Sequence, residues 1–201
     1  MKRHTDNTKF AVKVYDTKKI FNEKHSYWIL YEIMILRDMN TALNTNCLKL
    51  CRIYEGLSYV YCVTELYRGG ELLDAMVREG SLSEYMSLRI LKALLTGLCY
   101  LEKLGIVHRD IKPQNIVLRG KKKIDDIVIV DFGFAIKLED IDPKNKQLAY
   151  CVGTPGYIAP EMIGYKDYGT KADVFSAGAT LYLMMHYSPA FFAKNKEDVI
   201  R

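Results

Sequence analysis

Apolar and polar residues alternate over Phe10-Ala11-Val12-Lys13-Val14-Tyr15, the period of a β-strand, with Lys13 set among apolar neighbours. The pattern then changes period. In Trp28 to Leu36 apolar side chains at 29, 33 and 36 and at 30 and 34 share one broad helical face, with Glu32 inside it. Leu48 to Tyr54 and Ser58 to Glu65 form two further strand-like runs joined by a turn at Glu55-Gly56. Arg68-Gly69-Gly70-Glu71 is a flexible break followed by a helix start. From Ser83 to Leu104 apolar residues recur at helical spacing, with Ser83-Glu84 as start and Gly105 as stop. Tyr85, Leu88, Leu91, Leu95, Leu98 and Leu101 are expected in the core. Ile127-Val128-Ile129-Val130 is β-branched throughout and predicts a buried strand. Two prolines and three glycines among residues 153–164 predict a shaped loop. Val174 to Tyr187 is apolar but too short to span a bilayer, so a buried core helix is expected.

Composition narrows the class without naming a function. Hydrophobic residues make up 49% and charged residues 26%, ordinary for a globular chain of 201 residues. The net charge of +5 is mild and scattered. Its one concentration, Lys121-Lys122-Lys123 after Arg119-Gly120, reads as a solvated hairpin turn, and no nucleic-acid partner is expected. Five cysteines without metal-type spacing predict reduced thiols and an intracellular, cytoplasmic location. The polar segment from Met1 to Lys9 is no secretory signal, and no membrane span is expected.

The chemistry concentrates in two short stretches. Residues 108–115 read His-Arg-Asp-Ile-Lys-Pro-Gln-Asn, and Asp131-Phe132-Gly133 begins sixteen residues after Asn115. Asp110, Asn115 and Asp131 thus fall on loops at the ends of rigid elements. Transfer of a γ-phosphoryl group asks for that: metal ions to neutralise phosphate charge and a carboxylate to orient the attacking hydroxyl. On these residues the chain resembles the eukaryotic protein kinases. Arg68-Gly69-Gly70-Glu71 and Gly153-Thr154-Pro155-Gly156-Tyr157 are most similar to the calmodulin-dependent and calcium-dependent group.

The resemblance implies an α+β fold of two lobes, a small β-rich lobe with one key helix and a larger helical lobe. It divides the chain into 1–67, N-lobe and hinge, and 68–201, an incomplete C-lobe. It implies an ATP-dependent serine/threonine kinase acting on protein substrates, with ATP and Mg²⁺ as cofactors. Lys13 would hold the α- and β-phosphates and pair with Glu32, though either could by itself be a surface residue. Asp110 would be the catalytic base, Lys112 would stabilise the transferring phosphoryl group, and Asn115 and Asp131 would hold the metals. Ala11, Glu65, Tyr67 and Val117 would contact the nucleotide, and Thr64 would stand behind it. Glu71 is equally an acid at a helix start or, as the resemblance implies, a contact to the ribose or to a substrate arginine. Gln114 replaces a glutamate common in basic-directed relatives. Thr154 would support Asp110 and Lys112, and Asp173 would tether the catalytic-loop backbone. Arg109 would grip a phosphate on the activation segment, yet residues 134–152 contain no serine or threonine. Ordering without phosphorylation, charge from Glu139, Asp140 or Asp142, or modification of Tyr150 are the alternatives.

Two parts of the family pattern are missing from the chain, the Gly-rich loop before the Lys13 strand and the helices expected beyond Arg201. Apolar faces meant for those helices are expected to be exposed or covered by a regulatory partner. A catalytically impaired scaffold that binds partners is the alternative to an active enzyme.

Overall fold

The computed structural model describes residues 8–18, 26–41, 46–141, 152–163 and 168–192. The first alternating run forms β1 (Phe10–Asp16), and the helical run forms α1 (Ser26–Asp38). Two further strands follow, β2 (Leu50–Glu55) and β3 (Tyr59–Glu65). All pairings are antiparallel and β3 is central, so the sheet order is β1-β3-β2. The register sets Lys13 opposite Cys62 and Ala11 opposite Thr64. Tyr31, Ile35, Leu36 and Met39 are buried at helical spacing and form the face that α1 presents to the core.

The second part of the chain is largely helical. It contains α2 (Leu72–Glu79), α3 (Glu84–Lys103), the four-residue α4 (Pro160–Ile163) and α5 (Lys171–His186). Short strands lie between them: β4 (Ile106–Val107), β5 (Ile116–Leu118), β6 (Ile127–Ile129) and β7 (Ile136–Lys137). β4 pairs with β7 and β5 with β6, so the stretches 108–115 and 131–133 are held at the ends of small antiparallel ladders. Ile90, Leu94, Leu101, Ile111, Ile127 and Phe132 are fully buried in one core.

Three helices sit differently from expectation. In α1 the buried face is that of Tyr31, Ile35 and Leu36, while Ile29, Ile33 and Met34 are half-buried and Leu30 is 51% exposed. α3 starts at the predicted cap, where Ser83 Oγ accepts from Met86 N at 3.3 Å. Its buried row, however, is Ser87, Ile90, Leu94, Gly97, Leu98 and Leu101. Tyr85 is 68% exposed and Leu88 47%, while Leu91 and Leu95 lie at the half-buried margin. The row of apolar letters marks one edge of the buried face, because the polar Ser87 and small Gly97 occupy its middle. α5 buries Ala172, Ala177, Thr180 and Met184 but leaves Val174 and Tyr182 about two-fifths exposed, at 44% and 43%. It is a core helix on one side only. No helix among the described residues is long and apolar enough to cross a membrane.

Candidate active site

A cleft of about 490 Å³ lies between the three-stranded sheet and the β5–β6 ladder. Ala11, Lys13, Glu32, Glu65, Tyr67, Val117 and Asp131 all line it, and Thr64 closes its back. Val12, Leu36, Leu48, Cys62, Leu66 and Val130 complete an apolar wall that carried no chemical signal in the sequence. Lys13 projects from β1 toward α1, and its Nζ lies 2.6 Å from Glu32 Oε1. Asp131 Oδ1 is 3.8 Å from the same nitrogen. The Glu32 side chain is 7% exposed, so α1 must stay docked for this pair to persist. Tyr15 lies under the cluster with its ring centroid 5.4 Å from Lys13 Nζ. Burial, and then the Glu32 carboxylate, hold its phenol well above the usual range. Burial likewise pushes the Cys62 thiol up to about 11.

The catalytic loop is built on a buried carboxylate. Asp173, near the start of α5, accepts His108 N at 2.7 Å and Arg109 N at 2.9 Å. Burial raises its carboxyl above the ordinary range, opposed by His108 and Arg109 through their charges and backbone N–H groups. The expected tether therefore exists, and it allows Arg109 to keep a left-handed backbone at φ 66°. His108 Nδ1 accepts from Asp110 N at 3.3 Å, while its Nε2 donates to the Val130 carbonyl at 3.1 Å. The ring thus bridges the two catalytic stretches, and Phe132 packs edge-on against it at 4.8 Å.

Asp110 is 5% exposed and fully engaged. Thr154 Oγ1 donates to Oδ1 at 2.7 Å, and Lys112 Nζ lies 2.8 Å from Oδ2. Asn115 Nδ2 donates to Oδ2 and to the Asp110 carbonyl, each at 2.8 Å. Lys112 Nζ also donates to Thr154 Oγ1 at 2.7 Å. Gly153 brings Thr154 to this cluster with φ 120°, and a Cβ there would lie 2.6 Å from the Arg109 carbonyl oxygen. With the Asn115 nitrogen so committed, its amide oxygen is the atom left for a cation, and the Asp131 carboxylate is half-exposed. Two oxygen donors suit Mg²⁺ that keeps phosphate and water ligands. Among the described residues no group of three or more His, Cys, Asp or Glu side chains could hold a metal alone.

A family model described as "Protein kinase domain" matches residues 1–201. The chain belongs to the protein kinase domain family. It is 38% identical over 191 residues to calcium-dependent protein kinase 5 of Plasmodium berghei (strain Anka), covering 95% of this chain and 32% of that protein. It is 33% identical over 200 residues to calcium-dependent protein kinase 4 of Plasmodium falciparum (isolate 3D7), covering 99% of this chain and 36% of that protein. Calcium/calmodulin-dependent protein kinase type 1 of Macrobrachium nipponense is 35% identical over 189 residues, 94% of this chain and 52% of that protein. The chain spans between a third and a half of the length of these relatives.

In this kinase domain Arg109 has neutral partners. Its Nε donates to the Phe134 carbonyl at 2.5 Å, its Nη1 donates to Tyr168 OH at 2.9 Å, and the guanidinium stacks on Trp28 at 5.4 Å. Among the acids considered for the activation segment, Asp140 accepts from Tyr31 OH on α1. Glu139 lies 3.7 Å from Lys137, whose Nζ also reaches Asp38 at 2.9 Å. Asp142 and Tyr150 lie outside the described residues. Tyr168, Trp28 and Tyr31 had no signal in the sequence beyond being aromatic.

Glu71 stands apart from the cleft lining. It occupies the cap of α2, where its N–H donates to Asp74 Oδ2 at 3.3 Å. Of the two roles open to it, the structure displays the helix start. The hinge just before it is pressed onto β5: Gly69 N donates to the Leu118 carbonyl at 3.0 Å and Arg68 N to the Arg119 carbonyl at 3.3 Å. A Cβ on Gly69 would meet Leu118 Cβ at 2.3 Å, so this position requires glycine. Arg119 covers the Tyr67 ring at 5.3 Å and lies 3.7 Å from Glu65. Cys47, Cys51, Cys62 and Cys99 are reduced thiols.

Proposed function

We propose that this domain transfers the γ-phosphoryl group of Mg-ATP to serine and threonine hydroxyls of protein substrates. The buried Asp110 carboxylate carries the reading: Thr154, Lys112 and Asn115 all point donors at it, beside the cleft that holds the Lys13–Glu32 pair. Three donors fix the carboxylate in one orientation without a rotamer search. Asp110 then orients the incoming hydroxyl and accepts its proton as the new O–P bond forms and ADP leaves. Lys112 lies at the same carboxylate and supplies positive charge where the transferring group becomes more negative. A lysine in this position supports alcohol over phenol substrates by resemblance to the serine/threonine enzymes.

Ala11 and Val117 supply apolar walls for a base, and the Glu65–Tyr67 backbone supplies the edge on which it is read. Lys13 holds phosphate oxygens and is itself positioned by Glu32. Asn115 and Asp131 are the residues that would hold Mg²⁺, which supplies charge neutralisation when bound. The scaffold alternative draws no support from the site, since the polar contacts required for transfer are formed.

The test is Asp110→Asn. It is expected to lower transfer to a serine/threonine peptide by at least ~100-fold, the usual range for losing a general base. The Mg-ATP-dependent rise in unfolding midpoint should be kept, because nucleotide binding does not use Asp110. Unchanged transfer in this variant would remove Asp110 from its role.

A further inference from the structure

A second cavity, about 520 Å³, lies away from the cleft, bounded by the end of α2, the start of α3 and the turn between β5 and β6. Strand alternation sends Val117 into the nucleotide cleft and its neighbour Leu118 into this groove. The floor is apolar: Leu82 and Leu118 are buried, and Met86 and Ile124 are half-buried. The rim is basic. Lys121, Lys122 and Lys123 stand exposed along one side and Arg78 on another. Arg89 and Asp125 satisfy each other across the groove, with Arg89 Nε 2.7 Å from Asp125 Oδ2. Glu79 is then the one lining acid against four cations, a local balance of +3 from residues 78, 79 and 121–123. The run of lysines is the solvated turn expected from the sequence, and it borders this groove.

We propose that this groove docks an acidic, partly apolar peptide segment of a partner protein. The apolar side chains sit on Leu82, Met86 and Ile124, and the carboxylates face Lys121–Lys123 and Arg78. The charge balance selects anions, and the recessed floor selects among them. Among the described residues no aromatic side chain lines the groove, and the nearby exposed Tyr85 ring is covered by Arg89 at 5.7 Å. A flat membrane face could reach the rim lysines but not the floor. A peptide can do both, with rim charges raising the association rate and the floor slowing release.

The experiment is fluorescence anisotropy on the full chain, using a labelled peptide in which a run of glutamates precedes alternating leucines. Saturable binding is expected, weakening as salt rises. The combined Lys121→Glu, Lys122→Glu and Lys123→Glu substitutions should raise Kd at least ~10-fold, consistent with reversing charge on an exposed rim. Met86→Ala should also weaken binding, while replacing the peptide glutamates by glutamines should mimic the charge reversal. Both protein variants are first shown to keep the parent's unfolding midpoint. If either falls, Arg78→Glu and Ile124→Ala replace them. Absence of saturable binding would overturn the proposal, as would equal binding by the charge-reversed protein. Displacement of the peptide by Mg-ATP would put it in the active-site cleft. Tighter, competing binding by a mixed-sequence oligonucleotide or phosphatidylserine vesicles would give the groove to nucleic acid or lipid. Either result refutes the docking site.

Discussion

Asp173→Asn is the substitution whose consequence follows most directly from the geometry. The carboxylate is 2% exposed and accepts two backbone N–H groups, from His108 at 2.7 Å and Arg109 at 2.9 Å. An asparagine of the same shape keeps one oxygen acceptor and turns an amide nitrogen toward the other N–H. One charge-assisted hydrogen bond, about 1.5–3 kcal/mol, is lost, and a buried donor is left facing a donor. Relief from burying a charge, the effect that raises the carboxyl here, offsets part of this. A net loss of about 2–3 kcal/mol remains, which at about 2–4 °C per kcal/mol for a domain of this size lowers Tm by roughly 4–12 °C. The freed backbone is that of Arg109, held at φ 66°, and it directly precedes Asp110. Phosphoryl transfer should therefore fall further than stability, with the deficit in kcat and little change in KM for ATP. Differential scanning calorimetry and steady-state assays with a serine/threonine peptide measure both. A Tm within about 1 °C of the parent would refute the claim that these two bonds hold the loop, since even one ordinary net hydrogen bond is worth about 1 kcal/mol.

Lys13→Met should lower transfer at least ~100-fold and also lower stability by about 1–3 kcal/mol, because it leaves the buried Glu32 carboxylate without its cation; kinase assays paired with calorimetry check this. Tyr31→Phe removes the hydroxyl that donates to Asp140 and accepts Lys137 N at 3.1 Å. Amide exchange at Lys137 should then accelerate about fivefold, the equivalent of roughly 1 kcal/mol, and unchanged exchange by mass spectrometry would disprove the tie. For Cys62, held at about 11 by burial, the thiolate fraction at pH 8 is about 0.1%, against roughly a quarter for an ordinary thiol. Iodoacetamide should label exposed Cys51 and Cys99 long before Cys62, and peptide mapping that finds Cys62 modified first would contradict its setting.

Much of the site was legible because its chemistry is carried by polar letters at fixed offsets. Asp110, Lys112 and Asn115 sit on one short loop, so their spacing was visible locally, although Asp173 and Thr154 hold that loop from far along the chain. The pairing of Lys13 with Glu32 and the tether from Asp173 came from the family resemblance, since by itself either member of the pair reads as a surface residue. What escaped reading depends on how elements meet. The buried face of α3 could not be ranked from apolar letters, because it includes Ser87 and also Gly97, which packs against Ile129 of β6 and Asn46. Trp28 and Tyr168 reach Arg109 from elements far apart in sequence, and nothing local in either stretch marks that meeting. The lysine run is the turn it looked like, but the groove it borders could not be read locally, because Leu82, Met86 and Leu118 reach it from other elements. Glu71 shows the converse: helix-start chemistry visible in the letters themselves describes its place in the fold.

The seam between hinge and β5 has a mechanical meaning. Glu65 N is bonded to the Lys49 carbonyl and moves with the upper sheet, whereas Arg68 N and Gly69 N are bonded to the lower hairpin. Any opening and closing of the cleft would be taken up in the backbone torsions of Leu66 and Tyr67 and at Leu48–Lys49, where Leu48 N is bonded to the Ile129 carbonyl and Glu65 N to the Lys49 carbonyl. Leu66 and Tyr67 themselves line the cleft, so the axle of the jaw is also part of its bite. A nucleotide that grips this short span stiffens the pivot as it binds, and its departure requires the pivot to flex again.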